Sequence, residues 1–272
     1  MKKLSTLLFV ALFSFNAEAH YEKPLFSYSF SYLNNYPLSA MRPQLDGVNG
    51  FDIHAYGPLK GSRLQLGFSF AYGNYGNKNS KIDFATQDGS RFIADMTISN
   101  YYLSPNMRFK YDFRPYASAV RPYAEVTGGV TFFQTSLNIW DPEDETNCEA
   151  LETHFLKKDN TWTTYAGAGV EISLTSLINK GEHSDCAMDF SVFFSGGFRT
   201  GGKVEYMSVD MDDQNLQTHA GHHGTSADKS PFNVDFVNTV TQERHQHHIA
   251  YVFRSPIMMY EFQFGIRMHF GK

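Results

Sequence analysis

Three features of the sequence predict an eight-stranded antiparallel up-and-down transmembrane β-barrel. Segments of strictly alternating apolar and polar residues recur along the chain. The connections between them alternate long and short, and the face opposite the apolar one carries charge. A strand sends alternate side chains to opposite faces, so a period of two means one apolar and one polar face.

Residues 1–19 read as a secretory leader. Lys2 and Lys3 precede an apolar run from Leu4 to Phe15, and Ala17-Glu18-Ala19 offers a small-x-small cleavage pattern. The apolar run is too short to span a bilayer as a helix, so the expectation is cleavage and a single mature domain, 20–272. Without Lys2, Lys3 and Glu18, 21 basic residues face 27 acidic ones, a net charge of about −6. That balance argues against a nucleic-acid partner, which needs a basic face. Aromatic content is high and uneven, with 25 Phe and 16 Tyr against 2 Trp.

The first strand, Pro24 to Leu33, alternates Phe26, Tyr28, Phe30 and Tyr32 with three serines. A loop rich in Asn, Pro and Gly, Asn34 to Gly47, leads to a second strand, Val48 to Tyr56. The third carries Leu64, Leu66, Phe68, Phe70 and Tyr72 on one face. A polar connection from Asn74 to about Asp95 precedes the fourth, where Tyr101 to Phe113 alternate with Asn106, Arg108, Lys110 and Asp112. Pro105 cannot donate to a ladder, so a local irregularity is expected there. After a turn from Arg114 to Arg121 the fifth strand runs from Pro122 to Phe133. A long acidic loop, Ser136 to Asn160, separates it from the sixth, Tyr165 to Leu174. The seventh runs from Met188 to Arg199 and the closing one from Tyr260 to Phe270. Lys81 to Phe92 and Phe232 to Val240 are candidates for an extra hairpin above the membrane.

Long connections follow strands one, three, five and seven; short ones follow two, four and six. Long extracellular loops and short periplasmic turns are the asymmetry of outer-membrane barrels, and a soluble sandwich has no reason to collect its long loops at one end. Parity then places Asp52, Asp112, Glu125, Glu171, Asp189 and Glu261 inside with Arg63, Arg108, Lys110, Arg199 and Arg267. A dry core could not hold so many charges cheaply, whereas a barrel lumen lets them pair. Glycines 129, 167, 169, 197 and 265 leave room there. Eight strands enclose a space that side chains fill, so no open diffusion pore is expected.

Pro122-Tyr123-Ala124-Glu125, Tyr165-Ala166-Gly167-Ala168-Gly169-Val170-Glu171 and the Phe262-to-Phe270 alternation, with the leader, resemble the small outer-membrane β-barrel superfamily of OmpA and OmpX type, porin-like barrel domains included. The resemblance spans the mature chain and carries no motif for an activity. It implies a location in the outer membrane of a Gram-negative-type cell with both termini periplasmic. Contact with lipid and lipopolysaccharide, and insertion by the barrel-assembly machinery reading Phe270, follow from it. Gly271 and Lys272 beyond Phe270 depart from the family's aromatic ending. No further periplasmic domain is expected after the last strand.

Candidate chemistry falls into three groups. Arg108, Lys110, Glu125, Glu171, Asp189, Glu261 and Arg267 form an inward charge network, read as the structural filling that fixes register. His219, His222, His223, His245, His247 and His248 concentrate six of the chain's eleven histidines before the last strand. Such spacing could ligate Zn²⁺, Cu²⁺, Ni²⁺ or a haem. No catalytic set is evident: His54 lies beside Asp52 without a serine, and His269 is inward near the periplasmic end. Cys148 and Cys186 sit on connections at opposite ends and are expected to stay unpaired, since Cα atoms more than about 7 Å apart cannot be bridged. The sequence therefore points to a non-enzymatic surface scaffold without a cofactor, displaying loops to an extracellular ligand or host surface. A narrow porin-like channel and a metal or haem receptor are the alternatives.

Overall fold

The alternation stated so plainly in the first strand closes a ring. In the computed structural model, which describes residues 25–59, 62–85, 91–140, 152–178, 188–208, 228–237 and 244–270, nine strands follow in order. They are β1 (Phe26–Pro37), β2 (Val48–Pro58), β3 (Leu64–Ala85), β4 (Arg91–Asp112), β5 (Val120–Trp140), β6 (Glu152–Ser173), β7 (Met188–Ser208), β8 (Asp228–Val237) and β9 (Arg244–Phe270). A 3-10 turn (Ser39–Met41) follows β1, and one short helix, α1 (Leu174–Ile178), follows β6. Strands β1 to β7 pair in sequence order, all antiparallel. β9 then pairs with β7 on one edge and β1 on the other, so the barrel has eight strands and no open edge around its waist. The start of β1 and the end of β9 meet at one end, here the terminal end, with Phe26 opposite Phe270.

The upper half differs from the expectation. Residues assigned to polar connections continue the strands: Ala85 still pairs with Arg91, and Ile139 with Glu152. Above the end of β1, β8 adds to the edge of β9 that β1 has vacated, from Asp228↔Arg254 to Val237↔Arg244. Phe232 thus does join an extra hairpin, while Lys81 lengthens a barrel strand. β6 and β7 stay paired only up to Thr163↔Gly201, so the wall divides above that level into β3–β6 and β7–β9–β8. At Pro105 the β4–β5 ladder skips a step between Leu103↔Phe132 and Asn106↔Gly129 without changing register. The missing proline N–H interrupts the ladder, and the register shift lies elsewhere, between Asn74 and Gly76.

The alternation changes sense along the long strands β4 and β5. In lower β5 the inward residues are Arg121, Tyr123, Glu125, Thr127 and Thr131, while Val126 and Phe132 are exposed. Further up the same inward face carries Phe133, Leu137 and Ile139, and the outward one carries Gln134 and Asn138. β4 inverts likewise, from inward Asp112, Lys110 and Arg108 to inward Ile98, Met96 and Ala94. A strand wholly in water would keep its apolar face inward throughout. One that crosses from hydrocarbon into water must invert.

The upper interior is an apolar core. Leu33, Tyr75, Tyr102, Phe133, Val204, Tyr206, Phe253, Ile257 and Met259 pack together, and Met41 and Leu45 drop in from the connection after β1. Above them Met96, Ile98, Leu137, Met207, Ala250 and Val252 join the two divided walls, with Leu156 and Phe232 against them.

Glycines make the lumen fit. A Cβ on Gly169 would stand 2.5 Å from Tyr123 Cζ and 2.6 Å from the Phe194 carbonyl oxygen. The Gly169→Ala variant is therefore expected to lose about 1–3 kcal/mol, the usual cost of overpacking, as a lower midpoint of urea unfolding in micelles. An unchanged midpoint would show that the Tyr123 ring can yield.

Candidate functional site

The lumen holds the only dense set of charged side chains among the described residues, and small cross-strand neighbours make the room. Arg267 stands between Ser29 and Ser191, Arg108 between Gly67 and Thr127, and Asp52 between Ser31 and Ala71. Each long side chain can thus lean across the barrel instead of clashing with the adjacent strand.

Three layers result. At the terminal end Glu171 is the hub. Its Oε1 accepts from Arg121 and lies against His269 Nε2, each at 2.6 Å. Its Oε2 accepts from Lys110 at 3.1 Å and from Arg267. Lys110 also reaches Asp112 at 2.6 Å, and Arg121 reaches Asp189 at 3.2 Å. In the middle layer Arg108 bridges Asp52 (2.7 Å) and Glu125 (3.1 Å), with His54 against Asp52 at 2.9 Å. In the third, Arg199 forks onto Glu261 at 2.6 and 3.2 Å, the paired geometry that a guanidinium and a carboxylate favour. Gln263 ties the middle layer to the third, donating to Asp52 at 3.1 Å and to Glu261 at 2.8 Å. Arg267 is also flanked by the rings of Phe193 (4.5 Å), Tyr56 (5.1 Å) and Tyr123 (5.4 Å), within cation–π reach.

The structure thus brings together all seven residues of the expected network. Six are buried, and Asp189 is half-buried at the terminal rim. Two placements need correction. Arg121 enters the lumen because β5 begins at Val120, earlier than Pro122 suggested. Arg63 stays in the β2–β3 turn and donates to the Phe113 carbonyl at the rim, 3.0 Å away, because it precedes the first paired residue of β3. Tyr56, Tyr102, Tyr123 and Tyr165 are also buried on inward positions. Their signal is parity: Tyr165 shares the face of Glu171, and Tyr123 that of Glu125. Outside the spanning strands, Tyr116 closes the terminal end, donating to Asp189 at 2.8 Å. Burial, and after it the adjacent carboxylate, pushes its phenol pKa up.

One further constellation was invisible in sequence. Ser27 Oγ lies 2.7 Å from His269 Nδ1, whose Nε2 faces Glu171. Serine, imidazole and acid follow in the order used to activate a nucleophile. The seam pairs Ser27 with His269, far apart in the chain. Ser27 is 1% exposed, so no substrate reaches its hydroxyl in this conformation.

His219, His222 and His223 lie outside the described residues, as do Cys148 and Cys186. His245, His247 and His248 belong to β9 by their backbone, opposite Phe236, Val234 and Asn233. Among the described residues no group of three or more His, Cys, Asp or Glu is placed to hold a metal ion.

The outer surface carries its own order. Every barrel strand has an outward aromatic residue near the level where β4 and β5 invert: Tyr32, Phe51, Tyr72, Tyr101, Phe132, Trp162, Phe198 and Tyr260. On seven of the eight, the next residue of that face is uncharged and polar: Asn34, Asn49, Asn74, Ser99, Gln134, Asn160 and Thr200. Only β9 continues with an apolar residue, Met258. Trp162, the most exposed of the large apolar residues at 75%, marks the level on β6.

No family model matches the sequence, and no curated protein matches it. Among solved structures the chain is similar to the Neisserial surface protein A (12% identity, TM-score 0.41, covering 90% of this chain and 96% of that one). It is also similar to a major outer membrane protein of Thermus thermophilus (12%, 0.35, 89% and 99%). A third is the outer membrane protease OmpT of Escherichia coli (9%, 0.33, 84% and 65%).

The hub gives a direct test. Glu171→Gln leaves Lys110, Arg121 and Arg267 buried without their shared counter-charge, and breaking a buried pair typically costs about 3–5 kcal/mol. The variant should unfold at clearly lower urea than the native barrel. Asp189→Asn, at the half-exposed rim, should cost much less. Equal losses would mean the network is not centred on Glu171.

Proposed function

We propose that the protein is an outer-membrane barrel that works as a surface scaffold, its ring anchored in lipid and its divided upper walls presented to the exterior. The observation that carries this reading is the inversion of alternation, with an aromatic residue near that level on all eight strands. Aromatic girdles are the mark of a barrel's membrane–water boundaries. The secretory leader supports export, and the tall end supports the orientation, since outer-membrane barrels carry their longer elements outside and their termini in the periplasm.

The same geometry speaks against conduction. Ions entering from the terminal end would meet three layers of paired charge. Beyond these they would meet an apolar core of Met41, Leu45, Tyr75, Phe133, Tyr206 and Phe253. Moving an ion through such an apolar layer carries a desolvation cost of many kcal/mol. An extracellular ligand or host surface is the partner the scaffold reading implies, and the upper walls offer it paired β-structure.

Reconstituted in planar bilayers, with insertion verified by protease protection of the ring, the protein is expected to give no discrete conductance steps at any voltage. Regular unit steps from the native chain would replace the scaffold reading with a narrow channel.

A further inference from the structure

We infer that the outward face of the upper β3–β6 wall is a docking surface for an uncharged oligosaccharide. The inference rests on the scaffold reading above, which puts this wall in water outside the cell, and it names the partner.

Asn79, Thr97, Asn138 and Thr153 are consecutive cross-strand partners, one outward row of amides and hydroxyls across four strands. Asn79 and Thr153 are exposed, Thr97 and Asn138 half-buried. An aromatic residue stands on either side of the row. Trp140, two residues above Asn138 on the same face of β5, is half-buried. Phe155, two residues below Thr153 on β6, is 57% exposed. Phe155 pairs with Ser136, so four residues of β5 set the two rings about 13 Å apart along the strands. That is more than a single sugar ring covers and suits a short chain of them.

The face carries no concentrated positive field. Lys81 stands opposite Asp95 in the row above, and the Lys158 ammonium lies over the Phe155 ring, 3.6 Å from its centre. A polyanion needs such a field. A protein partner favours an apolar centre within a polar rim, and here the order is reversed, with amides and hydroxyls central and rings outside. A neutral oligosaccharide fits both features. Its hydroxyls donate and accept together, as the amide and hydroxyl side chains do. The polarised C–H face of a sugar ring packs on the negative face of an aromatic ring.

The test uses the full-length mature barrel in zwitterionic detergent micelles, carrying Trp162→Phe so that fluorescence reports Trp140. The probes are chitotriose, maltotriose and a sulfated heparin tetrasaccharide. At least one of the two neutral sugars should shift the Trp140 emission saturably, and the sulfated fragment should not. Asn138→Ala and Phe155→Ala should each weaken that binding about tenfold, the worth of one hydrogen bond or one ring contact. No saturable shift with either neutral sugar, an equal response to the sulfated fragment, or native affinity in both variants would overturn the inference. A failed titration alongside silent planar bilayers removes only the partner and leaves the scaffold. Conductance steps would remove the scaffold reading itself.

Discussion

The Glu171 carboxylate is the constraint from which the lower barrel follows. It is fully buried, with Lys110 and Arg267 on one oxygen and Arg121 and His269 on the other. A charge taken out of water is tolerated only with partners of good geometry, and these partners stand on β4, β5 and β9 while the acid stands on β6. Slipping any of these strands by one residue would turn its charge out into the surrounding apolar band and leave the others unpaired. Register is therefore set by electrostatics where the outer face, uniformly apolar, sets little.

The proposed membrane placement puts two media on the same strands. Below the girdle the interior takes the charge and the outside is apolar; above it the interior takes Phe133, Leu137 and Ile139. The upper walls can consequently divide between β6 and β7 without losing their core, because Leu156 and Met207 still meet across it in one cluster. Outside that core, Lys157 and Glu205 link the two walls, and Asp159 accepts from the Glu205 N–H at 2.7 Å. A divided wall exposes strand edges, which a ring buried in lipid could not tolerate.

The ring was legible in sequence because every spanning strand alternates and inward charge had only one sensible home. Arg108, Glu125 and Arg267 follow from parity alone. What parity could not show is contact between strands that are not neighbours, such as Arg267 with Glu171 or Gln263 with Asp52. The upper walls were misjudged for a physical reason. Asn77 to Lys81 and Lys157 to Asn160 carry polar residues at consecutive positions, which reads as loop when a strand is assumed to bury one face. These stretches face water on one side and weakly covered space on the other, so pairing holds them and packing contributes little.

The central claim is that the aromatic level around the ring is the edge of the bilayer. Trp162 lies at that level, and Trp140 lies near the top of β5 where the outward face is polar. Fluorescence of the single-tryptophan variants Trp140→Phe and Trp162→Phe in vesicles with brominated acyl chains measures the two positions separately. The account predicts strong quenching of Trp162, greatest with bromines near the head-group end, and none of Trp140. Trp162 left unquenched, or both residues quenched alike, would contradict it.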